Sequence, residues 1–163
     1  SPLANSLNYE IIDKSFWINL ATNLQDNGYQ VIFNSDKTYG DNFTYAFEPI
    51  YETALLAKNC DYIIAFRSGL TDVFAAVTNT RSIVLYPSDD FQIYKDKSNE
   101  VMKDFFKKSY LDDSKNFSQY VKDSQSLNAM FKRNDILELF CYKNKEEELL
   151  AHVLDVVKEN CKV

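Results

Sequence analysis

Between Cys60 and Asp72 the chain runs Cys-Asp-Tyr-Ile-Ile-Ala-Phe-Arg-Ser-Gly-Leu-Thr-Asp, and this is where its chemistry concentrates. The apolar stretch 61–66 reads as a strand, and Val73, Phe74, Ala75, Ala76 and Val77 as the body of a helix. Arg67, Ser68, Gly69 and Leu70 form the turn between them. A helix start leaves backbone N–H groups pointing the same way, and its dipole adds about half a positive charge there. Arg67 adds a full one beside it. Phosphate or diphosphate suits such a place. With one glycine in the turn, neither a Walker loop nor a GxGxxG fingerprint is present. The turn therefore points to an anion without naming it. A plain N-cap is the competing reading of Ser68, and a carboxylate partner that of Arg67. Asp72, in the first helical turn, is read as structural because acidic side chains stabilise that position.

Other candidates stand at further strand ends, the edge where open α/β sheets bind ligands. Asn34-Ser35-Asp36 offers polar contacts to a ligand, or simply forms a turn. Glu48, just before Pro49, can accept from a ribose or complement a helix dipole. Tyr86 can stack on a base or lie in the core. The single histidine, His152, falls in a helix beside Ala151 and Val153 and is read as structural. No Ser/His/Asp or Cys/His constellation can be assembled around it, which speaks against triad-type hydrolysis. Cys60, Cys141 and Cys161 share no metal-ligand spacing. Cys60 and Cys141 adjoin apolar runs and read as reduced core residues, placing the chain in a reducing compartment. No metal is expected.

Elements to position these residues follow in alternation. Phe16, Trp17, Leu20, Ala21 and Leu24 recur at helical spacing over 14–27, with Asp13 or Ser15 as cap and Gly28 as terminator. A strand is expected at 29–34, a polar loop at 35–44, a helix from Pro49 to about Asn59, a strand at 61–66, a helix at 70–79 and a strand at 81–86. Residues 88–133 are polar and less regular, with an amphipathic helix around 98–110 (Val101, Met102, Phe105, Phe106). A strand at 135–142 and a helix at 145–160 close the chain. Such alternation predicts an α/β fold: a doubly wound, mainly parallel, Rossmann-like sheet with helices on both faces. The opening Ser1-Pro2-Leu3-Ala4-Asn5-Ser6 reads as a loop, with Pro2 fitting the carboxyl end of a strand. A first strand is therefore expected just upstream, or from another segment.

The 163 residues suit a single domain. The composition, 45% hydrophobic and 26% charged, is that of an ordinary soluble globular protein. A net charge of −6 argues against nucleic acid or an anionic membrane as partner. No apolar run is long enough for a transmembrane helix, and no signal peptide is visible at Ser1. Two sequons, at Asn42 and Asn116, are of a kind that chance often produces. The start without Met is read as processing or excision from something longer.

The ordered set Ser1-Pro2, Ala4-Asn5-Ser6, Phe16-Trp17, Gly28-Tyr29-Gln30-Val31, Asn34, Glu48-Pro49, Cys60-Asp61 and Arg67-Ser68-Gly69-Leu70 with Asp72 resembles bacterial GT-B-type glycosyltransferases of surface-polysaccharide synthesis. More narrowly, it resembles their C-terminal half, over roughly residues 1–90. The resemblance implies one of two Rossmann-like lobes, binding a donor nucleotide sugar with no cofactor and no active-site metal. Arg67, Ser68, Gly69, Leu70, Asn34, Glu48 and Tyr86 would form the nucleotide-sugar site. An N-terminal acceptor lobe or second subunit would supply the catalytic base, leaving this chain inactive alone. A cytoplasmic place, free or peripheral to the inner face of the membrane, goes with that role. The alternatives are a non-catalytic flavodoxin-like or receiver-like module, or a bare interaction domain whose Ser-Gly turn is only a cap. A receiver needs an aspartate ending its central strand, where this chain has Phe66-Arg67.

Overall fold

A computed structural model describes residues 12–87, 126–141 and 145–159. The opening loop, the helix expected around 98–110, the sequon at Asn116 and Cys161 lie outside the described residues. Helix α1 spans Lys14–Asp26 and buries Phe16, Trp17, Leu20, Ala21 and Leu24. The Asp13 carboxylate caps it by accepting from Ser15 N–H at 3.3 Å. At its other end Gly28 takes φ +87°, Gly28 N–H donates to Gln25 O, and Tyr29 N–H donates to Leu24 O. These are the paired bonds of a Schellman turn, which a left-handed glycine permits. Because Tyr29 is spent closing the helix, strand β1 is only Ile32–Asn34, shorter than the expected 29–34.

The expected polar loop 35–44 runs into a strand that periodicity missed, β2 (Thr44–Ala46), parallel to β1 with Phe33 opposite Tyr45. Three residues are too few to show a period of two. Its anchor is tertiary: the Tyr45 hydroxyl accepts from Tyr39 and Gly40 N–H and donates to Gly40 O, at 2.7, 2.9 and 2.7 Å. Phe33 stacks on Tyr39 at 4.7 Å. Helix α2 (Ile50–Lys58) follows, with Pro49 as its N-cap.

Strands β3 (Tyr62–Phe66), β4 (Arg81–Pro87) and β5 (Ile136–Cys141) form a second, fully parallel sheet in the order β3-β4-β5. Helix α3 (Gly69–Val77) links the first two, a short unexpected helix α4 (Leu127–Phe131) precedes β5, and α5 (Glu146–Glu159) follows it. Side chains of β4 alternate between two cores. Ile83 and Leu85 pack with α1 and α5, through Trp17, Leu20, Val153 and Val157. Val84 and Tyr86 pack with Ala75 of α3 and Leu127 of α4. The fold is thus mixed α/β with parallel strands, which among the described residues form a two-stranded and a three-stranded sheet. Among the described residues no helix is long and apolar enough to cross a membrane.

Arg133 joins the second layer. Its guanidinium donates to the carbonyls of Ala75, Thr78 and Thr80, where α3 ends, and pairs with Asp135 at 2.6 Å. The orphan carbonyls of that helix end are satisfied, and the cation holds the Asp135 carboxyl below its ordinary range.

Cys141 is a core residue, 1% exposed, whereas Cys60 is only half-buried. Burial, helped by Glu146, pushes the Cys141 thiol up to about 12 from 9.0. The folded chain therefore keeps a proton that the unfolded chain loses above pH 9, so stability from this source is intact below 9 and lost between 9 and about 12. Urea unfolding across that window is expected to show wild-type stability falling more steeply than that of Cys141→Ala.

Candidate functional site

Parallel pairing brings the carboxyl ends of β3, β4 and β5 to one rim, with Phe66 opposite Leu85 and Leu85 opposite Leu139. Two contacts of α1 place the end of β1 on the same side. Lys14 Nζ donates to Thr38 O at 3.2 Å in the loop after β1, and Trp17 meets Phe66 edge-on at 5.4 Å. Asn34, Arg67 and Tyr86 accordingly occupy one edge of the molecule.

Arg67 continues the β3 ladder, its N–H donating to Leu85 O at 2.9 Å. Its guanidinium folds over the first turn of α3. It donates to Ser68 O at 3.0 Å and Thr71 Oγ1 at 3.4 Å, approaches Met130 Sδ of α4 at 3.8 Å, and pairs with Asp72 Oδ1 at 2.8 Å. That last contact is an ion contact without directed hydrogen-bond geometry, since Oδ1 is otherwise buried without a hydrogen bond. Ser68 is extended (φ −160°, ψ 170°), and Thr71 closes the turn, accepting from Ser68 N–H at 3.0 Å and donating to Ser68 O at 2.6 Å. Thr71 and Asp72 N–H donate to Ser68 O. Gly69 and Leu70, the first two residues of the helix, have no intrahelical acceptor for their N–H groups. Gly69 is exposed, and a Cβ placed on it would meet nothing within 4 Å. Open space surrounds the backbone there, and neither conformation nor packing demands the glycine.

The remaining candidates are spread unevenly. Asn34 is half-buried, and Ser35 behind it is buried, its hydroxyl accepting from Lys37 N–H at 3.0 Å in a turn. Glu48 is exposed after β2, and its carbonyl accepts from the Thr53 hydroxyl at 2.9 Å. Tyr86 is 2% exposed, with its ring in the second core. His152 lies on the exposed face of α5. Among the described residues no group of three or more His, Cys, Asp or Glu is placed to hold a metal ion.

Behind the rim stands a carboxylate that periodicity overlooked. Glu138, in mid-β5 opposite Val84, accepts four hydrogen bonds. Tyr86 Oη and Leu127 N–H donate to Oε1 at 2.5 and 2.7 Å; Ser126 Oγ and Asn128 Nδ2 donate to Oε2 at 2.7 and 3.0 Å. Asn128 also bridges to the Ile136 backbone, donating to its O and accepting from its N–H. Burial and the adjacent carboxylate hold the Tyr86 hydroxyl well above its ordinary range, so it remains a donor at any physiological pH. The signal was present: Glu138 is the one charged residue in Ile136–Cys141.

An amide in place of this carboxylate presents an N–H to at least one donor. Hydrogen bonds to a charged group contribute about 1.5–3 kcal/mol each. Glu138→Gln is therefore expected to lower unfolding free energy by about 2–4 kcal/mol in urea titrations, and Tyr86→Phe by less, about 1–3 kcal/mol. Equal stability of Glu138→Gln and wild type would remove the network from the account. No protein-family model and no curated protein matches this chain, and its functional reading rests on the geometry of the rim.

Proposed function

We propose that the chain is the donor nucleotide-sugar-binding lobe of a GT-B-type glycosyltransferase of bacterial surface-polysaccharide synthesis, built as a doubly wound, Rossmann-like unit. The observation that carries the reading is the meeting of Arg67 with the open first turn of α3, at the rim shared by the parallel strand ends. The turn supplies two N–H groups and a helix dipole beside a guanidinium, the donors that a diphosphate requires. Asp72 holds the guanidinium over that turn until a phosphate oxygen replaces it. Asn34 lies on the same rim within reach of sugar or ribose, and Glu48 in the following loop is the second such contact. Tyr86 serves from behind, fixing the end of β4 through Glu138. The chemistry supplied is positioning and electrostatic stabilisation of the departing nucleoside diphosphate. The acceptor-side base belongs to a second lobe or subunit, so this chain by itself transfers no sugar.

A second reading, an interaction module without catalysis, is favoured by one feature. Ile50, Tyr51 and Leu55 of α2, and Phe47 just ahead of it, are 57, 69, 43 and 59% exposed. A partner covering that face would give the domain a use with no ligand at the rim.

Calorimetry with UDP, GDP, ADP and CMP separates the two. The first reading expects the diphosphates to bind more tightly than CMP, with no added metal. Arg67→Ala, checked for folding by circular dichroism, is expected to weaken binding about ten- to a hundredfold, the loss of a charge-assisted contact. Unchanged affinity in the variant removes Arg67 from the site. No binding by any of the four favours the interaction module.

A further inference from the structure

Helix α4 has only five residues, yet it is held from several sides. Ser126 Oγ, Leu127 N–H and Asn128 Nδ2 donate to the Glu138 carboxylate, and the Leu127 side chain is 1% exposed. Just beyond it Lys132 takes left-handed backbone (φ 53°), and Arg133 crosses to the carbonyls where α3 ends. These bonds turn the polar side chains of the helix inward. Its exposed residues are Ala129 and Met130, the reverse of an ordinary surface helix, whose polar side faces water. A single exposed methionine needs no explanation by itself. Met130, however, is 52% exposed with its Sδ 3.8 Å from Arg67 Nη2, so the network that anchors α4 also sets a thioether beside the guanidinium.

The two sides of the Arg67–Leu70 turn therefore differ in chemistry. Toward β1, Asn34 and Glu48 bring an amide and a carboxylate. Helix α4 lies on the other side, its Leu127 packed with Val84 and Tyr86 on the face of the sheet away from α1. There the polar groups of Ser126, Asn128 and Arg133 are engaged on Glu138, Asp135 and backbone carbonyls, and the surface offered is a methyl and a thioether. Sulfur contacts aromatic rings favourably and is only a weak acceptor for sugar hydroxyls. A guanidinium plane likewise stacks on bases. We propose that Met130 seats the nucleobase of the donor, an assignment that rests on reading the rim as a nucleoside diphosphate site. The phosphates lie at Arg67–Leu70, the base lies against Met130 one ribose away, and the transferred sugar falls to Asn34. A thioether touches the flat face of a ring rather than its hydrogen-bonding edge, so purine and pyrimidine diphosphates both bind. Met130 thus separates nucleotides from simple diphosphates, not one base from another.

The test titrates the whole 163-residue chain, carbon-13-labelled at the methionine methyls and nitrogen-15-labelled throughout, with ADP and with inorganic pyrophosphate. The chain has two methionines, Met102 and Met130, and Met130→Leu assigns the second resonance. Both ligands are expected to move the Gly69 amide, and ADP alone to shift the Met130 methyl upfield through the ring current of the base. In calorimetry Met130→Ala is expected to weaken ADP about two- to tenfold, the loss of a sulfur–ring contact, and to leave pyrophosphate binding unchanged. If Gly69 responds to both ligands while the Met130 methyl responds to neither, or to both alike, the proposal is overturned and the diphosphate reading stands. Equal affinity of Met130→Ala and wild type for ADP overturns it in the same way. A Gly69 amide unmoved by either ligand removes that reading and the proposal with it.

Discussion

Burial of β4 on both faces and both edges is the constraint from which most of this structure follows. Ser82 through Tyr86 are each no more than 6% exposed, and β4 has a parallel partner on either side. Each fully buried Val, Leu or Ile contributes about 1.5–3 kcal/mol. To collect that, α1 and α5 must cover Ile83 and Leu85, and α3 and α4 must cover Val84 and Tyr86. Parallel neighbours cannot be joined by tight hairpins. Every strand in the second sheet therefore ends at the same rim, and α3 and α5, which follow β3 and β5, return from it. The Arg67–Leu70 turn is a by-product of that geometry.

Polar groups next to this core are handled by full satisfaction. Glu138 sits in an apolar strand with four donors around it, and Arg133 closes the carbonyl end of α3 while pairing with Asp135. Breaking one partner of such a set costs far more than its presence gains, because the other groups stay buried. Both networks tie α4 to the sheet just where α3 packs. The floor of the rim is accordingly cross-linked by side chains, whereas its lip, from Ser68 to Leu70, carries the bonds of one helical turn and that of the Arg67 guanidinium to Ser68 O.

Much of this was legible in the residues. The stripe from Phe16 to Leu24, the terminating Gly28 and the apolar runs at 61–66 and 81–86 identified α1, β3 and β4, because long periodic or uniformly apolar segments leave few alternatives. Asp72, in the first turn of α3, pairs with Arg67. What stayed hidden was set by tertiary contacts. Strand β2 is too short for a pattern and depends on the Tyr45 hydroxyl holding the loop at Tyr39 and Gly40. Helix α4 is a single turn and a half, held by a carboxylate eleven residues further on. Which of the described strands pair with which could not be read either, since pairing partners leave no periodic trace. Of the candidate site, the Arg67 turn and Asn34 came together on one rim. The side-chain partners of Arg67, and the burial of the Tyr86 ring, emerged only from packing.

The central claim is that the open first turn of α3 receives a diphosphate. The most direct measurement is a titration of the uniformly nitrogen-15-labelled chain with UDP, following backbone amides by NMR. The account predicts saturable shifts largest at Gly69 and Leu70, whose N–H groups face the ligand, with smaller ones at Asn34. Saturable shifts confined to the exposed 47–55 face, with Gly69 and Leu70 unmoved, would contradict it.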